Sequence, residues 1–267
     1  MLITEKFVML NFPKTGSTFA RAALMQAHQP NKLERIRHRL GWGGRTLQEL
    51  KMAPFRLTEA YTAWQKNRPP SQHGVYVQVP EAHRHKAIMS VVRDPIERIV
   101  SLYEYKDWQK YPFPDRDTVS RAFPSFPDLS FEEYLKLSDL NRHLVQPAGL
   151  QVEVGPLTNQ FIGFYARDPL KTLLALREDT DLRKEYNLHF PKIRFLHTEN
   201  LNQELYDYLL ELGYPRHRIA FITGMGKKNI SERSRNSYLT PAQVARIHAS
   251  ERFFYQLFPE YLESGMT

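Results

Sequence analysis

Residues 7–18 read FVMLNFPKTGST, and the change of character halfway along this stretch decides the fold. Residues 7–12 are apolar apart from Asn11 and rich in β-compatible types, which predicts a short strand. Pro13, Lys14, Thr15, Gly16, Ser17 and Thr18 then make a Pro/Gly loop, after which Ala20, Ala23, Leu24 and Ala27 recur at helical spacing. The stretch therefore reads as strand, loop, helix.

The same alternation recurs downstream. Residues 75–79 (VYVQV) alternate like a strand, and residues 86–92 (KAIMSVV) predict a second, more fully buried one. A helix opens at Asp94, which can cap it, with Pro95 where a missing N–H costs nothing and Glu97 completing a capping-box pattern. From 111 to 127 the prolines at 112, 114, 124 and 127 predict an irregular surface excursion. Ser130 and Glu133 predict a capped helix through Leu137, and a further helix is expected over 169–178. Residues 193–197 (IRFLH) predict a strand, and 199–212 a helix that stops at Gly213 with Pro215 just beyond. Thr240, Pro241 and Gln243 launch a final helix carrying Val244, Ile247, Phe254, Leu257 and Phe258. The polar, basic stretch 31–72 suggests no chemistry of its own. Strands alternating with helices predict an α/β fold, P-loop-like and three-layered, with a mostly parallel central sheet flanked by helices.

With 267 residues, 42% of them hydrophobic, the chain can bury one large core, and a single domain over 1–267 is expected. Lys and Arg number 37 against 29 Asp and Glu, a formal charge of +8 that favours anionic partners. No zinc-finger, RRM or heptad signature accompanies that charge, so nucleic acid is not the expected partner. The absence of cysteine excludes disulfides, thiolate metal sites and cysteine nucleophiles, and fits a reducing compartment. No signal-peptide pattern opens the chain, and no apolar run approaches the roughly 18 residues of a membrane span. A cytoplasmic protein with no integral membrane segment is expected.

In an open parallel sheet, ligands bind beyond the carboxyl ends of the strands. The loop at 13–18 occupies such a place: Gly16 permits a tight turn, the following helix start can aim N–H groups at an anion, Thr15, Ser17 and Thr18 carry hydroxyls, and Lys14 adds charge. These residues alone leave two readings, a phosphate cradle or a short basic turn with no ligand. They do not match GxxxxGK[ST], because Lys14 precedes the glycine. A second cluster holds Arg93 at a strand end and Ser101 two helical turns after Asp94, so both could converge on one phosphate. Taken alone, an ion pair and a helix-surface serine account for Arg93 and Ser101 slightly better, and Arg98, within the same cluster, could instead be a solvated surface charge.

Together, FPKTGST at 12–18 and RDPIERIVSLY at 93–103 resemble the sulfotransferase superfamily, and more closely its carbohydrate-acting branch. In that family a PK-T-G-[ST]-[ST] loop binds the 5'-phosphosulfate of 3'-phosphoadenosine 5'-phosphosulfate (PAPS), and an RDP-x-x-R-x-x-S-x-Y-like segment binds its 3'-phosphate. Weaker similarity continues through SFEEYL (130–135), TNQFIG (158–163), FLHTENL (195–201) and KKNISERSR (227–235). The resemblance implies that Lys14, Thr15, Gly16, Ser17 and Thr18 hold the 5' end of the cofactor and that Arg93 and Ser101 hold its 3'-phosphate. Asn229, Ser231, Arg233 and Arg235 resemble the family's C-terminal cofactor loop.

Sulfuryl transfer of this kind needs no metal: Lys14 would neutralise the leaving oxygen while a base takes the acceptor's proton. His73 in SQHGVYVQV resembles the His-Gly-His segment of uronyl-type glycan sulfotransferases, with Val75 in place of the second histidine. A neutral imidazole with an ordinary pKa near 6.5 suits that task. His83 and His85 read as a solvated turn, and Glu59 is the alternative base. The acceptor implied is a hydroxyl-bearing carbohydrate, for which the basic segment 35–39 and the aromatics Trp42, Trp64, Trp108 and Tyr111 would be suited, although ordinary surface and core packing is the better account for most of them. Two rival readings remain, a nucleotide-dependent kinase, which would need Mg²⁺ and a carboxylate to hold it, and a relative that binds anions or glycans without catalysis.

Overall fold

Five short strands, β1 (Leu2–Thr4), β2 (Phe7–Leu10), β3 (Leu47–Glu49), β4 (Ala87–Val92) and β5 (Ile193–His197), pair in the order β3-β1-β2-β4-β5. Among the described residues the helices of six or more residues are α1 (Ser17–Ala27), α2 (Glu59–Trp64), α3 (Pro95–Tyr105), α4 (Arg116–Ala122) and α5 (Phe131–Leu140). They continue with α6 (Pro156–Tyr165), α7 (Pro169–Ala175), α8 (Leu201–Glu211), α9 (Pro241–Ser250) and α10 (Arg252–Leu257). The structure is a computed structural model that describes residues 1–30, 36, 47–64, 68–110, 116–226 and 238–263. These form two compact units: Met1–Ala53, Pro70–Arg93 and Lys192–Ile230 in the first, and Pro54–Pro69, Asp94–Pro191 and Ser231–Thr267 in the second.

The first unit contains the sheet. β2 runs parallel to β4, with Phe7 opposite Ala87 and Leu10 opposite Ser90, and β4 runs parallel to β5, with Ile88 opposite Ile193 and Val92 opposite His197. β1 is antiparallel to both β2 and β3. Phe7, Met9, Met89, Val91 and Leu196 project from one face into a core shared with Ala20, Ala23, Leu24 and Ala27 of α1 and Leu205, Tyr208 and Leu209 of α8. Each large apolar side chain removed from water there contributes about 1.5–3 kcal/mol. The alternate positions Val8, Leu10, Ile88 and Val92 are buried too, which is why these strands read as continuous apolar runs. The expected α/β architecture is what forms.

The second unit is helical. Asp94 Oδ1 accepts from Glu97 N at 3.0 Å with Pro95 at the first helical position, so α3 starts where its sequence signals place it. Ser130 and Glu133 form the reciprocal capping box of α5, and Thr240 with Gln243 forms that of α9. Ile96, Ile99 and Val100 of α3 pack with Phe131, Leu157 and Ile247. The carboxylate of Glu251, 1% exposed, accepts from Leu157 N at 3.0 Å, Thr158 N at 2.7 Å and Thr158 Oγ1 at 2.7 Å, closing the N-terminus of α6.

Four expectations are corrected. Residues 75–79 are not a strand: Tyr76–Gln78 form a 3-10 turn in which Gln78 Oε1 accepts from Val75 N at 3.1 Å, and only Val75 and Val79 are buried. The alternation there reflects two buried valines four residues apart, not two sheet faces. The proline-rich excursion contains α4, because no proline lies between 114 and 124 and that gap holds two helical turns. The single final helix is two, α9 and α10, broken at Glu251, whose side chain turns away to cap α6. Arg98 is not solvated: it is 1% exposed and donates through Nη2 to Gln160 Oε1 at 2.5 Å, a buried charge given a polar partner. The segment 35–39 apart from Ile36, along with Trp42 and Tyr111, lies outside the described residues.

Candidate functional site

The carboxyl ends of the parallel strands β2, β4 and β5 lie at one edge of the first unit, and residues 11–18 leave β2 there. The loop closes on the carbonyl of Phe12, which accepts from Thr15 Oγ1 and from Ser17 Oγ, both at 2.9 Å. Thr15 and Ser17 are buried. Their hydroxyl protons are committed to holding the loop's shape, whereas Thr18 is exposed on the first turn of α1.

Lys14 and Gly16 have φ of 63° and 81°, on either side of Thr15. Left-handed residues alternating with an ordinary one turn successive N–H groups to the same side, which makes a concavity for an anion. For Lys14, a residue with a Cβ, this conformation costs about 1–2 kcal/mol, a strain of the kind concentrated at ligand sites. At Gly16 a Cβ would lie 3.1 Å from Leu201 Cδ2 and 3.4 Å from Thr198 Cγ2, so the position requires glycine for its backbone and for its space. Gly16 is also the N-cap of α1 and contributes no capping side chain, nor is there an acidic residue in the first turn. The N–H groups of Ser17 and Thr18 precede the first intrahelical bond, from Phe19 N to Gly16 O at 2.9 Å, and no acidic residue of the first turn opposes the positive end of the helix. Lys14, half-buried, carries its positive charge in the same loop.

His73 reaches the same loop. Its Nδ1 lies 2.7 Å from the carbonyl oxygen of Asn11, while Asn11 Nδ2 donates to Gln72 O at 3.3 Å. A carbonyl can only accept, so Nδ1 carries the proton and Nε2 of the neutral ring holds the lone pair. That is the tautomer a general base needs. The adjacent Gly74 is fixed by close packing, since a Cβ there would come within 2.6 Å of Met1 Cε and 2.7 Å of Met52 Cγ.

Arg93 follows β4 directly and is half-buried. The link between its strand and the loop is Thr198, whose Oγ1 donates to Thr15 O and to Val92 O, each at 2.7 Å. The turn after β5 that holds Thr198 is itself fixed by Glu204, which accepts from His197 N at 2.7 Å and meets His197 Nδ1 at 3.2 Å. One turn into α1, Arg21 is held by Glu49 in a bidentate pair, with Nε 3.0 Å from Oε1 and Nη2 2.8 Å from Oε2; the hydrogen bond from Arg21 lowers the Glu49 pKa.

The first unit thus brings together Lys14, Thr15, Gly16, Ser17, Thr18, His73 and Arg93. Ser101 belongs to the second unit, where it is buried on α3, and Glu59 belongs to the same unit, exposed at the start of α2. Asn229, Ser231, Arg233 and Arg235 lie outside the described residues. Sequence reasoning missed Thr198 and Asn11 as members of the site. The available signal was position: a hydroxyl residue immediately after one parallel strand and an amide immediately after another.

The family described as sulfotransferase family matches residues 2–161. No curated protein matches the chain. Among solved structures, the crystal structure of mouse sulfotransferase SULT7A1 complexed with PAP is similar at 15% identity, covering 96% of this chain and 84% of that one, with a TM-score of 0.37.

Proposed function

The chain belongs to the sulfotransferase family, and from that premise we propose that it transfers a sulfuryl group from PAPS to a hydroxyl of a carbohydrate acceptor. The observation that carries the proposal is the loop at 12–18, which has a lysine and a glycine at positive φ on either side of Thr15 and closes on the carbonyl of Phe12 just beyond the end of the parallel strand β2. Its donor set fits a sulfated phosphate: backbone N–H groups, an exposed hydroxyl at Thr18, the ammonium of Lys14 and a helix N-terminus with no acidic residue in its first turn. PAPS, when bound, supplies the activated sulfuryl group and an adenosine bisphosphate as leaving group.

The residues of the chain divide the remaining work. Lys14 neutralises charge developing on the bridging oxygen, and the loop N–H groups, already aimed by positive φ at 14 and 16, stabilise it without reorganising. Thr15 and Ser17 act by holding the loop in that shape. Arg93 pairs with a phosphate as a planar, permanently charged donor. His73, its Nδ1–H held by Asn11 O, takes the acceptor hydroxyl proton on Nε2. The +8 charge suits an anionic donor and an acidic glycan.

Transfer of radiolabelled sulfate from PAPS to a panel of glycans, phenols and lipids tests this reading. Lys14→Ala should reduce turnover by about 10²–10³-fold, the effect of removing one preorganised donor, with its circular dichroism unchanged. His73→Ala should lower kcat by about 10²–10⁴-fold with little effect on nucleotide affinity. Normal turnover by Lys14→Ala would overturn the mechanism, and transfer to phenols but not glycans would overturn the acceptor class.

A further inference from the structure

We propose that Thr198 is a positioning residue that sets the direction of the anion-binding N–H groups, an inference that rests on the cofactor site proposed above. In a trans peptide the C=O and the following N–H point in opposite directions. Whatever holds the Thr15 carbonyl therefore aims the Gly16 N–H the other way. Whatever holds the Val92 carbonyl likewise fixes the peptide from which Arg93 departs. A single hydroxyl does both, with Oγ1 of Thr198 at 2.7 Å from each carbonyl. Its one proton is shared between the two, so the bond couples the loop at 12–18 to the end of β4.

The geometry makes this bond directional in effect. Thr15 lies between the left-handed Lys14 and Gly16, and rotation of the peptide joining Thr15 to Gly16 would replace an N–H donor with a carbonyl oxygen in the concavity. The carbonyl of Thr15 is anchored from behind by Thr198 Oγ1, while the methyl of Thr198 lies 3.4 Å from where a Gly16 Cβ would be and limits movement of the same peptide. Thr198 is itself placed by the turn that Glu204 holds through His197 N. Thr198 thus acts on the ligand only through the backbone.

The test compares Thr198→Val, which keeps the shape and removes the hydroxyl, with Thr198→Ser, which keeps the hydroxyl. Calorimetry with adenosine 3',5'-bisphosphate and the KM for PAPS are measured on each full-length variant. The inference expects Thr198→Val to weaken nucleotide binding and raise KM by about 10-fold, the scale of one hydrogen bond to a charged ligand, and Thr198→Ser to remain within about twofold of wild type. Equal nucleotide affinity in the valine variant and wild type, whatever the change in melting temperature, overturns it. If the valine variant does not fold, Thr198→Ala against Thr198→Ser makes the same comparison, with equal affinities again overturning the inference. Wild-type protein that does not bind the nucleotide refutes the cofactor reading instead, so the two failures are distinguishable.

Discussion

Replacing Gly16 with alanine probes the loop most cleanly, because its consequences separate into a stability cost and a binding cost. An L-residue held at φ 81° costs about 1–2 kcal/mol, offset by about 0.4–1 kcal/mol from the smaller unfolded-state entropy of alanine. The new Cβ would sit 3.1 Å from Leu201 Cδ2 and 3.4 Å from Thr198 Cγ2, tight enough that Leu201, 5% exposed in the core, must shift by a few tenths of an ångström. The two backbone terms leave a net loss of up to about 1.6 kcal/mol, to which the displacement of Leu201 adds, so a fall of a few °C in Tm is expected for a chain of this size. Binding should suffer more. If the strain is relieved by turning the Thr15–Gly16 peptide, one N–H donor to the anion is lost, and a hydrogen bond to a charged group is worth about 1.5–3 kcal/mol, roughly 10–150-fold in affinity. Gly149→Ala is the matched control: φ there is 87°, and the added Cβ would meet only Leu174 Cδ2 at an ordinary 3.5 Å. Thermal denaturation and calorimetry with adenosine 3',5'-bisphosphate on both variants complete the experiment. If Gly16→Ala binds the nucleotide no worse than Gly149→Ala, the backbone geometry of the loop is not what holds the anion.

Other outcomes follow from the charges away from the loop. Glu251→Ala leaves three donors at Leu157 and Thr158 without their acceptor and should cost about 3–5 kcal/mol in chemical denaturation. Gly155→Ala, whose Cβ would fall 2.3 Å from Glu251 Cδ, should cost less in the Glu251→Ala background than in wild type, because the clash has gone. Burial raises the Glu251 pKa, so its contribution is full below the unfolded-state value and declines as pH rises through the folded-state value; Glu251→Gln should remove that slope. Glu49 has the opposite sign: the hydrogen bond from Arg21 lowers its pKa, so its contribution is present above the unfolded value near 4.5 and is lost as pH falls through the folded one. Glu49→Gln should show a smaller loss of stability on that acid limb than wild type.

The strand-loop-helix unit and the capped helices were legible because local chemistry dictates them. The apolar run before Pro13, the glycine at a left-handed N-cap and the Asp94-Pro95 start leave the backbone few alternatives. The turn at 75–79 was not legible, because a side-chain amide at Gln78 competing for the Val75 N–H leaves no mark in an apolar-polar pattern. Nor was the break at Glu251, where a buried carboxylate serves a helix start 94 positions away from it in sequence. At the site, the residue types pointed to an anion, but the division between them needed coordinates. Thr15 and Ser17 face inward as braces, and Thr198 is tied to the loop across 183 residues. Motif position also marked Lys14 and Arg93, whereas the tautomer of His73 follows only from its contact with Asn11 O.

The central claim is that the chain binds the adenosine bisphosphate of a sulfuryl donor, with the loop around Lys14 holding its 5' end. Isothermal calorimetry of the wild-type chain with adenosine 3',5'-bisphosphate, set beside adenosine 5'-monophosphate and repeated on Lys14→Ala, tests it most directly. The account predicts saturable one-site binding of the bisphosphate, weaker binding of the monophosphate, and a loss of affinity in the Lys14 variant. Absence of bisphosphate binding by the folded wild-type protein would contradict it.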